Sequence, residues 1–280
     1  MGIEDRETIP KLVIQPQRGL LQLDLASLWQ YRELIYFLVW RDVKVRYKQT
    51  LIGVAWAIIQ PLTTMIIFTV VFGKLAKIPS DGLPYPVFAY TALLPWNYFS
   101  SALMRSGTSL VGNSGLITKV YFPRLVVPLA AATTPAVDFA VSFTILLGLM
   151  AYYGITPTLY LIYLPFFMLL ALLTALSVGL WLSPLHIMFR DVGYLLPFLT
   201  QIWMYASPVV YPVSLVPEQW RWAYSLNPMV GVIEGFRWAL LGKENPGIAV
   251  IGVSASMVLI IFIGGVIFFK RMENTFADKM

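Results

Sequence analysis

Long apolar runs divide this chain of 280 residues into six segments, separated by short polar stretches. The runs cover residues 51–73, 85–104, 125–152, 159–182, 192–213 and 247–269. Each is close to the roughly 20 residues that a helix needs to cross the bilayer core, which is about 30 Å thick. The runs are apolar all round and lack the alternation of lipid-facing barrel strands. The pattern predicts an all-α polytopic membrane protein with six transmembrane helices, within residues 51–269.

Two further segments have helical patterns but do not suit a full crossing. Residues 28–50 mix apolar side chains with Arg41, Lys44 and Arg46, which is typical of an amphipathic helix lying in the membrane interface. Near the other end, Asn227 and Pro228 suit the start of a helix, and Gly242 suits its end. Residues 217–226 supply a second short arm. We therefore expect a re-entrant hairpin of short helices between the fifth and sixth spans, within residues 214–246.

The composition agrees with solvation by lipid. Hydrophobic residues make up 58% of the chain and charged residues 12%, against about 45–50% and about 25% in soluble domains. The chain has no Cys and one His, which excludes disulfides, thiol catalysis and metal sites built from Cys or His clusters.

The basic residues are distributed unequally about the predicted spans. Fifteen of the 20 Lys and Arg residues fall on the side that carries both termini. Because such residues concentrate on the cytoplasmic side, residues 1–27 and 270–280 are predicted to be cytoplasmic tails. Topology thus accounts for the net charge of +6, and no nucleic-acid partner is expected.

Motifs for enzyme chemistry are missing. The two Gly-Lys pairs, at Gly73 and Gly242, lack the upstream Gly and the following Ser or Thr of a phosphate-binding loop. Neither a Gly-x-Ser-x-Gly elbow nor a His-Glu-x-x-His pair occurs. The chain is therefore not expected to be an enzyme or to bind a cofactor itself; an intramembrane hydrolase would need a Ser that works without His.

One acid, Asp138, lies deep in a predicted span, where a charge is costly. It suits either a proton or ion relay in a secondary transporter, or a structural acid bonded to Thr134 and Ser142, one turn away on either side. The second interpretation is favoured because proton-driven carriers usually have several such groups.

The connection between the second and third spans, residues 112–124, is the most informative stretch. It places Tyr121 and Phe122 among basic residues on the predicted cytoplasmic side. From their chemistry alone, these aromatics suit a pocket on a protein partner and a headgroup-level anchor equally well.

Several motifs in order resemble one family. Residues 116–124, L-I-T-K-V-Y-F-P-R, resemble the L-I-x-K-x-x-F-P cytoplasmic loop of type-2 ABC exporter permeases. Phe189 to Val192, residues 207–212 (S-P-V-V-Y-P), residues 226–229 (L-N-P-M) and the Glu234 to Arg237 stretch are also similar. The set resembles permease subunits of polysaccharide and polyol-phosphate exporters, which handle lipopolysaccharide O antigen and teichoic acid.

The resemblance implies a homodimer in the bacterial inner membrane, joined by two separate ATPase subunits that hold ATP and magnesium. It implies export of a lipid-linked polysaccharide such as O antigen; a teichoic-acid, drug or small-lipid exporter is the alternative within the family. The loop 112–124 would couple this chain to the ATPase subunit. The implied contact residues are Leu116, Ile117, Thr118, Lys119, Val120, Tyr121, Phe122, Pro123, Arg124, Arg190 and Asp191.

A polysaccharide in transit needs surfaces that hold it weakly, and aromatic faces provide them. The candidates for such a path are Trp56, Tyr90, Trp96, Tyr98, Tyr194, Phe198, Trp203 and Tyr205. Aromatics near span ends are also typical of membrane-interface belts. The hairpin 214–246 is predicted to act as an outer gate, with Trp220, Trp222, Glu234 and Arg237 as its residues; Glu234 and Arg237 are spaced to pair.

Overall fold

The computed structural model describes residues 25–48, 53, 55–242, 245–273 and 275–276. Most of the predicted N-terminal tail and part of the C-terminal tail therefore lie outside the described residues. Within them, the chain is helical and has no β-strand. The α-helices are α1 Leu25–Gln30, α2 Arg32–Lys48, α3 Ala55–Phe68, α4 Tyr85–Gly112, α5 Ser114–Ile117, α6 Val126–Thr133, α7 Ala136–Tyr152, α8 Leu164–Met188, α9 Val192–Tyr205, α10 Glu218–Tyr224, α11 Pro228–Leu241 and α12 Ile248–Glu273.

Four helical stretches of the described chain are long and apolar enough to cross a membrane. They are Ala55–Leu75, Val126–Tyr152, Leu159–Met188 and Ile248–Glu273. The first includes a π-helical turn after α3, the second combines α6 and α7, and the third begins with a 3₁₀ turn before α8. These four correspond to the first, third, fourth and sixth predicted spans, and they make the chain a multi-pass membrane protein.

The second and fifth predicted spans differ from that description. Helix α4 has 28 residues, which is long enough to cross a membrane. Its polar residues, however, lower its hydropathy below that of the four stretches named above. Helix α9 has 14 residues, or about 21 Å at about 1.5 Å per residue, which is shorter than the bilayer core. It ends at Tyr205 and not at residue 213, because Pro208 and Pro212 follow and neither has an N–H to continue the helix.

Helix α4 forms the centre of the molecule. Its side chains from Val87 to Trp96 are buried without interruption, and it packs most extensively against α8, which also carries α12 on its other side. Small residues permit these close approaches: a Cβ on Gly179 would lie 2.3 Å from Ser106 Oγ, and one on Gly265 would lie 2.8 Å from the Ser177 carbonyl oxygen. Close backbone contact is the usual way that helices associate in lipid.

A separate apolar cluster, here called the second cluster, joins five parts of the chain. Its members come from α2, the end of α4, the 112–124 loop with α6, α8, and the last helix with the segment after it. They are Leu38, Leu110, Ile117, Phe122, Val126, Val127, Ala130, Leu180, Val266, Phe269 and Phe276. The predicted interface helix, observed as α1 and α2, is therefore packed along one face onto the membrane helices.

The short helices before α12 follow the sequence signals closely. The Asn227 side chain accepts a hydrogen bond from the Met229 amide, Pro228 begins α11, and Gly242 ends it in the left-handed conformation with φ 67°. The predicted short helix and its two caps are confirmed, and a second short helix, α10, precedes it.

Candidate functional site

The predicted coupling loop has an exposed tip and a buried base. After α5, Thr118, Lys119, Val120 and Tyr121 are exposed, and Tyr121 is 76% exposed. Ile117 and Phe122, on either side of this tip, are buried in the second cluster. These two predicted contact residues therefore do not offer their side chains to a partner; they hold the tip in place.

The loop is also tied to the interface helix. Arg41 Nη2 in α2 donates to the Asn113 side-chain oxygen over 2.8 Å, and the Asn113 amide donates to the Ser109 carbonyl at the end of α4 over 2.9 Å. A rigid connection thus joins α2, α4 and the start of the loop.

At the far end of the loop, Arg124 turns toward the chain's own C-terminal segment. Its guanidinium donates to the Glu273 carbonyl and lies 5.5 Å from the centre of the Phe276 ring. Phe276 is buried and meets Phe269 edge-on, with ring centres 5.4 Å apart. Arg124, another predicted contact residue, is thus engaged within this chain.

The remaining predicted coupling residues vary in exposure. Leu116 and Pro123 are half-buried, whereas Arg190 and Asp191 are exposed and form no ion pair within the described chain. Ile187, shortly before them, packs on the second cluster. Arg190 and Asp191 therefore lie on the same side of the molecule as the loop.

Asp138 is bound by the interface helix. Arg46 Nη1 lies 2.8 Å from Asp138 Oδ2, and the Tyr47 hydroxyl donates to Asp138 Oδ1. Burial, followed by the hydrogen bond to Asp138, raises the pKa of Tyr47 to about 12, so its hydroxyl keeps its proton at neutral pH. The predicted partners are wrong: Thr134 donates to Ala130 and Ser142 donates to Ala57, both backbone carbonyls.

The eight predicted path aromatics fall into three groups by exposure. Trp56, Tyr194, Phe198 and Tyr205 are exposed, Tyr194 to 83%. Tyr90, Trp96 and Tyr98 lie on the central helix and are buried in the main core, although Tyr98 also borders a crevice among α3, α4 and α7. Trp203 is half-buried; its ring packs edge-on against Phe99 at 4.9 Å, and its indole N–H donates to Asn227 over 2.8 Å.

The predicted ion pair on α11 is present. Arg237 Nη1 lies 2.7 Å from Glu234 Oε1. Arg237 is 2% exposed, donates to the Val209 carbonyl over 3.2 Å, and lies 3.7 Å from the centre of the Phe88 ring. The guanidinium thus joins α11 to α4 and to the turn after α9. Trp220 and Trp222 on α10 are exposed.

Comparison with known proteins agrees with this architecture. The model of the family described as ABC-2 type transporter matches residues 33–241. The chain belongs to the ABC-2 type transporter family. It is 28% identical over 260 residues to the O-antigen export system permease protein RfbA of Myxococcus xanthus, covering 91% of this chain and 98% of that protein. It is 26% identical over 247 residues to the RfbA protein of Klebsiella pneumoniae, covering 88% and 94%. It is 26% identical over 241 residues to the polysialic acid transport protein KpsM of Escherichia coli, covering 83% and 91%.

Three contacts in this ABC-2 transporter chain were not evident from the sequence. The Arg41–Asn113 hydrogen bond joins residues that are 72 positions apart in the chain, and no local sequence pattern predicts it. Phe276 falls in a segment whose charges indicate only a tail. Asn227 shows a signal for its cap, but not for its bonds to Trp203, to the Ala206 carbonyl and to Ser207.

Proposed function

We propose that this ABC-2 protein is the membrane subunit of an ATP-driven exporter that carries a lipid-linked polysaccharide, such as an O antigen, across the bacterial inner membrane. The supporting observation is similarity along nearly the whole chain to permeases of O-antigen export and polysialic acid transport. The missing phosphate-binding loop fits a division of labour in which a separate subunit binds ATP and magnesium.

In this proposal, the exposed tip of the 112–124 loop docks into the ATPase. Val120 and Tyr121 offer an apolar and an aromatic contact beside Lys119, a combination suited to a binding pocket. Since the base of the loop is packed in the second cluster, a displacement of the tip by the ATPase would also displace α2, α6 and α12. The chain supplies no chemistry itself; ATP binding shifts the population between two arrangements that make different contacts with the ATPase.

The proposed assembly contains two copies of this chain and two ATPase subunits. Helix α9 presents an exposed face of Tyr194, Phe198, Ile202 and Tyr205, and we place the second copy and one part of the polysaccharide path along it. The proposed topology has six crossings, with α4 and α9 as the second and fifth, a re-entrant α10–α11 hairpin as the outer gate, and both termini in the cytoplasm.

Copurification from native membranes tests the proposal. The tagged chain, solubilised in detergent from cells that make their own glycan, is expected to recover an ATPase subunit in a 2:2 ratio. Replacing Val120 and Tyr121 together with Ala should reduce the recovered ATPase at least tenfold. Tyr152→Ala is the matched control. Tyr152 is 82% exposed, but it lies at the end of α7, and the loop precedes the start of α6, at the other end of the α6–α7 stretch.

The two possible failures have different meanings. If native membranes yield no ATPase, the exporter class is wrong. If the ATPase remains with the double variant, the class stands and the docking site lies elsewhere.

A proton- or ion-coupled carrier centred on Asp138 is the competing function. The Arg46 and Tyr47 contacts occupy both carboxylate oxygens of Asp138, and this favours a structural role.

A further inference from the structure

A polar crevice opens among α3, α4 and α7, beside the end of α2. It encloses about 70 Å³. The residues that line it are Arg46, Trp56, Ala57, Gln60, Pro61, Leu94, Asn97, Tyr98, Ser100, Ser101, Pro135, Asp138, Phe139 and Ser142. Its other polar residues, Gln60, Asn97, Ser100 and Ser101, belong to none of the sites described above.

Two amide side chains in the crevice are unpaired. Gln60 is exposed and Asn97 is half-buried. No described residue forms a hydrogen bond with either side-chain amide; their contacts to Thr64 and Ser100 involve only backbone carbonyls. Acyl chains have no hydrogen-bonding groups, so amides in a membrane protein face water, a polar ligand or other protein groups.

The polar positions also form a continuous stripe. Asn97, Ser101 and Arg105 follow at intervals of four along α4 and therefore share one face. Gln60 lies one turn after Trp56 on the adjoining α3. The Arg46–Asp138 pair closes the end nearest the interface helix. Between Arg105 and the Arg46–Asp138 pair, the surface thus combines uncharged hydrogen-bonding groups with the exposed ring of Trp56.

We propose that this crevice is a water-filled section of the translocation path, in which Gln60, Asn97 and Ser101 bind sugar hydroxyl groups of the passing glycan. A side-chain amide both donates and accepts hydrogen bonds, as a sugar hydroxyl does, and Trp56 offers a face for sugar C–H groups. Uncharged groups exchange easily with water and hold no particular sugar tightly, which suits a moving polymer. The assignment rests on the proposed function.

The absence of Cys from the sequence makes the test direct. Asn97→Cys and Ser101→Cys each introduce a single thiol, which is treated with a membrane-impermeant methanethiosulfonate in inverted membrane vesicles. Ile260→Cys is the control: Ile260 is 64% exposed, more than Asn97, but lies on the apolar face of α12. We expect both crevice thiols to react at least tenfold faster than the thiol at 260.

Glycan contact is tested with the same variants. Vesicles from cells that make the native lipid-linked glycan are compared with vesicles from cells lacking the first glycosyltransferase of its synthesis. The glycan should slow modification at 97 and 101 at least threefold and leave the rate at 260 unchanged. Each variant is used only if the amount of it in the membrane matches that of the unmodified chain. If one crevice variant does not meet this condition, the other is tested alone.

The outcomes separate the two proposals. Reaction at 97 and 101 no faster than at 260 overturns the water-filled crevice. Fast reaction that is the same with and without glycan overturns sugar contact. The proposed exporter function is tested by two other measurements: copurification of the ATPase, and the amount of surface glycan in cells that lack the chain.

Discussion

Arg237 illustrates how a single buried cation is stabilised between α4 and α11. Its charge is balanced by Glu234, its N–H groups reach a backbone carbonyl, and its plane lies over Phe88. Burial makes each of these contacts stronger than in water, and it makes the loss of any of them more costly.

We expect Arg237→Lys to lower the free energy of unfolding by about 1–3 kcal/mol, because Lys keeps the charge but loses the planar contacts. Arg221→Lys is the matched control: Arg221 is also three residues from its acid, Glu218, but the two are exposed and 3.8 Å apart. Its effect should stay within about 0.5 kcal/mol. Thermal unfolding of the purified variants in detergent measures both, and equal effects would contradict the role assigned to burial.

Asp138→Asn distinguishes a structural acid from a proton relay. Asn still accepts a hydrogen bond from Tyr47 or Arg46, so most glycan export should remain. Export is measured as surface glycan at matched protein level. A loss of tenfold or more would favour the ion-coupled carrier, unless exchanging the pair (Arg46→Asp with Asp138→Arg) restores export, which a relay would not permit.

At the scale of elements, the 112–124 loop is held between α2 and the segment that follows α12. Arg41 fixes its start through Asn113, Ile117 and Phe122 anchor its base, and Arg124 fixes its end against Phe276. A loop supported in this way moves with the helices around it.

Phe276→Ala should loosen this support. We expect amide hydrogen exchange across residues 118–123 to accelerate at least tenfold, because the second cluster loses a buried ring and Arg124 loses its aromatic contact. Phe268→Ala removes a ring from α12, where it stacks on Trp181 at 4.8 Å, and should leave exchange in the loop unchanged. Unaltered exchange in Phe276→Ala would show that the loop is supported by other contacts.

The whole molecule leaves the α9 face uncovered. In a homodimer with this face on the two-fold axis, residue 198 or residue 202, one turn apart, lies close to the same residue of the second copy. The test variants are Phe198→Cys and Ile202→Cys, each with a single thiol. Mild oxidation in membranes should then give a disulfide-linked species of twice 31.6 kDa for at least one of them. Ile260→Cys should stay monomeric, and a monomer at all three positions would remove α9 from the interface.

Much of the fold could be read from the sequence because local signals carry it. Four spans are long apolar runs, and the caps at Asn227 and Gly242 depend on neighbouring atoms. The Glu234–Arg237 pair follows from spacing on one helix. The family, too, is recognisable from short motifs such as that of residues 116–124.

Tertiary structure decided which side of each helix faces protein. The sequence could not assign Tyr90, Trp96 and Tyr98 to the core, Phe122 to the base of the loop, or Asp138 to Arg46. In a soluble protein, water marks the outer face with polar residues, but lipid and protein interior select the same apolar side chains. The length of the apolar runs therefore identifies the membrane helices of this transporter, whereas only their packing determines which residues remain available to a substrate or a partner.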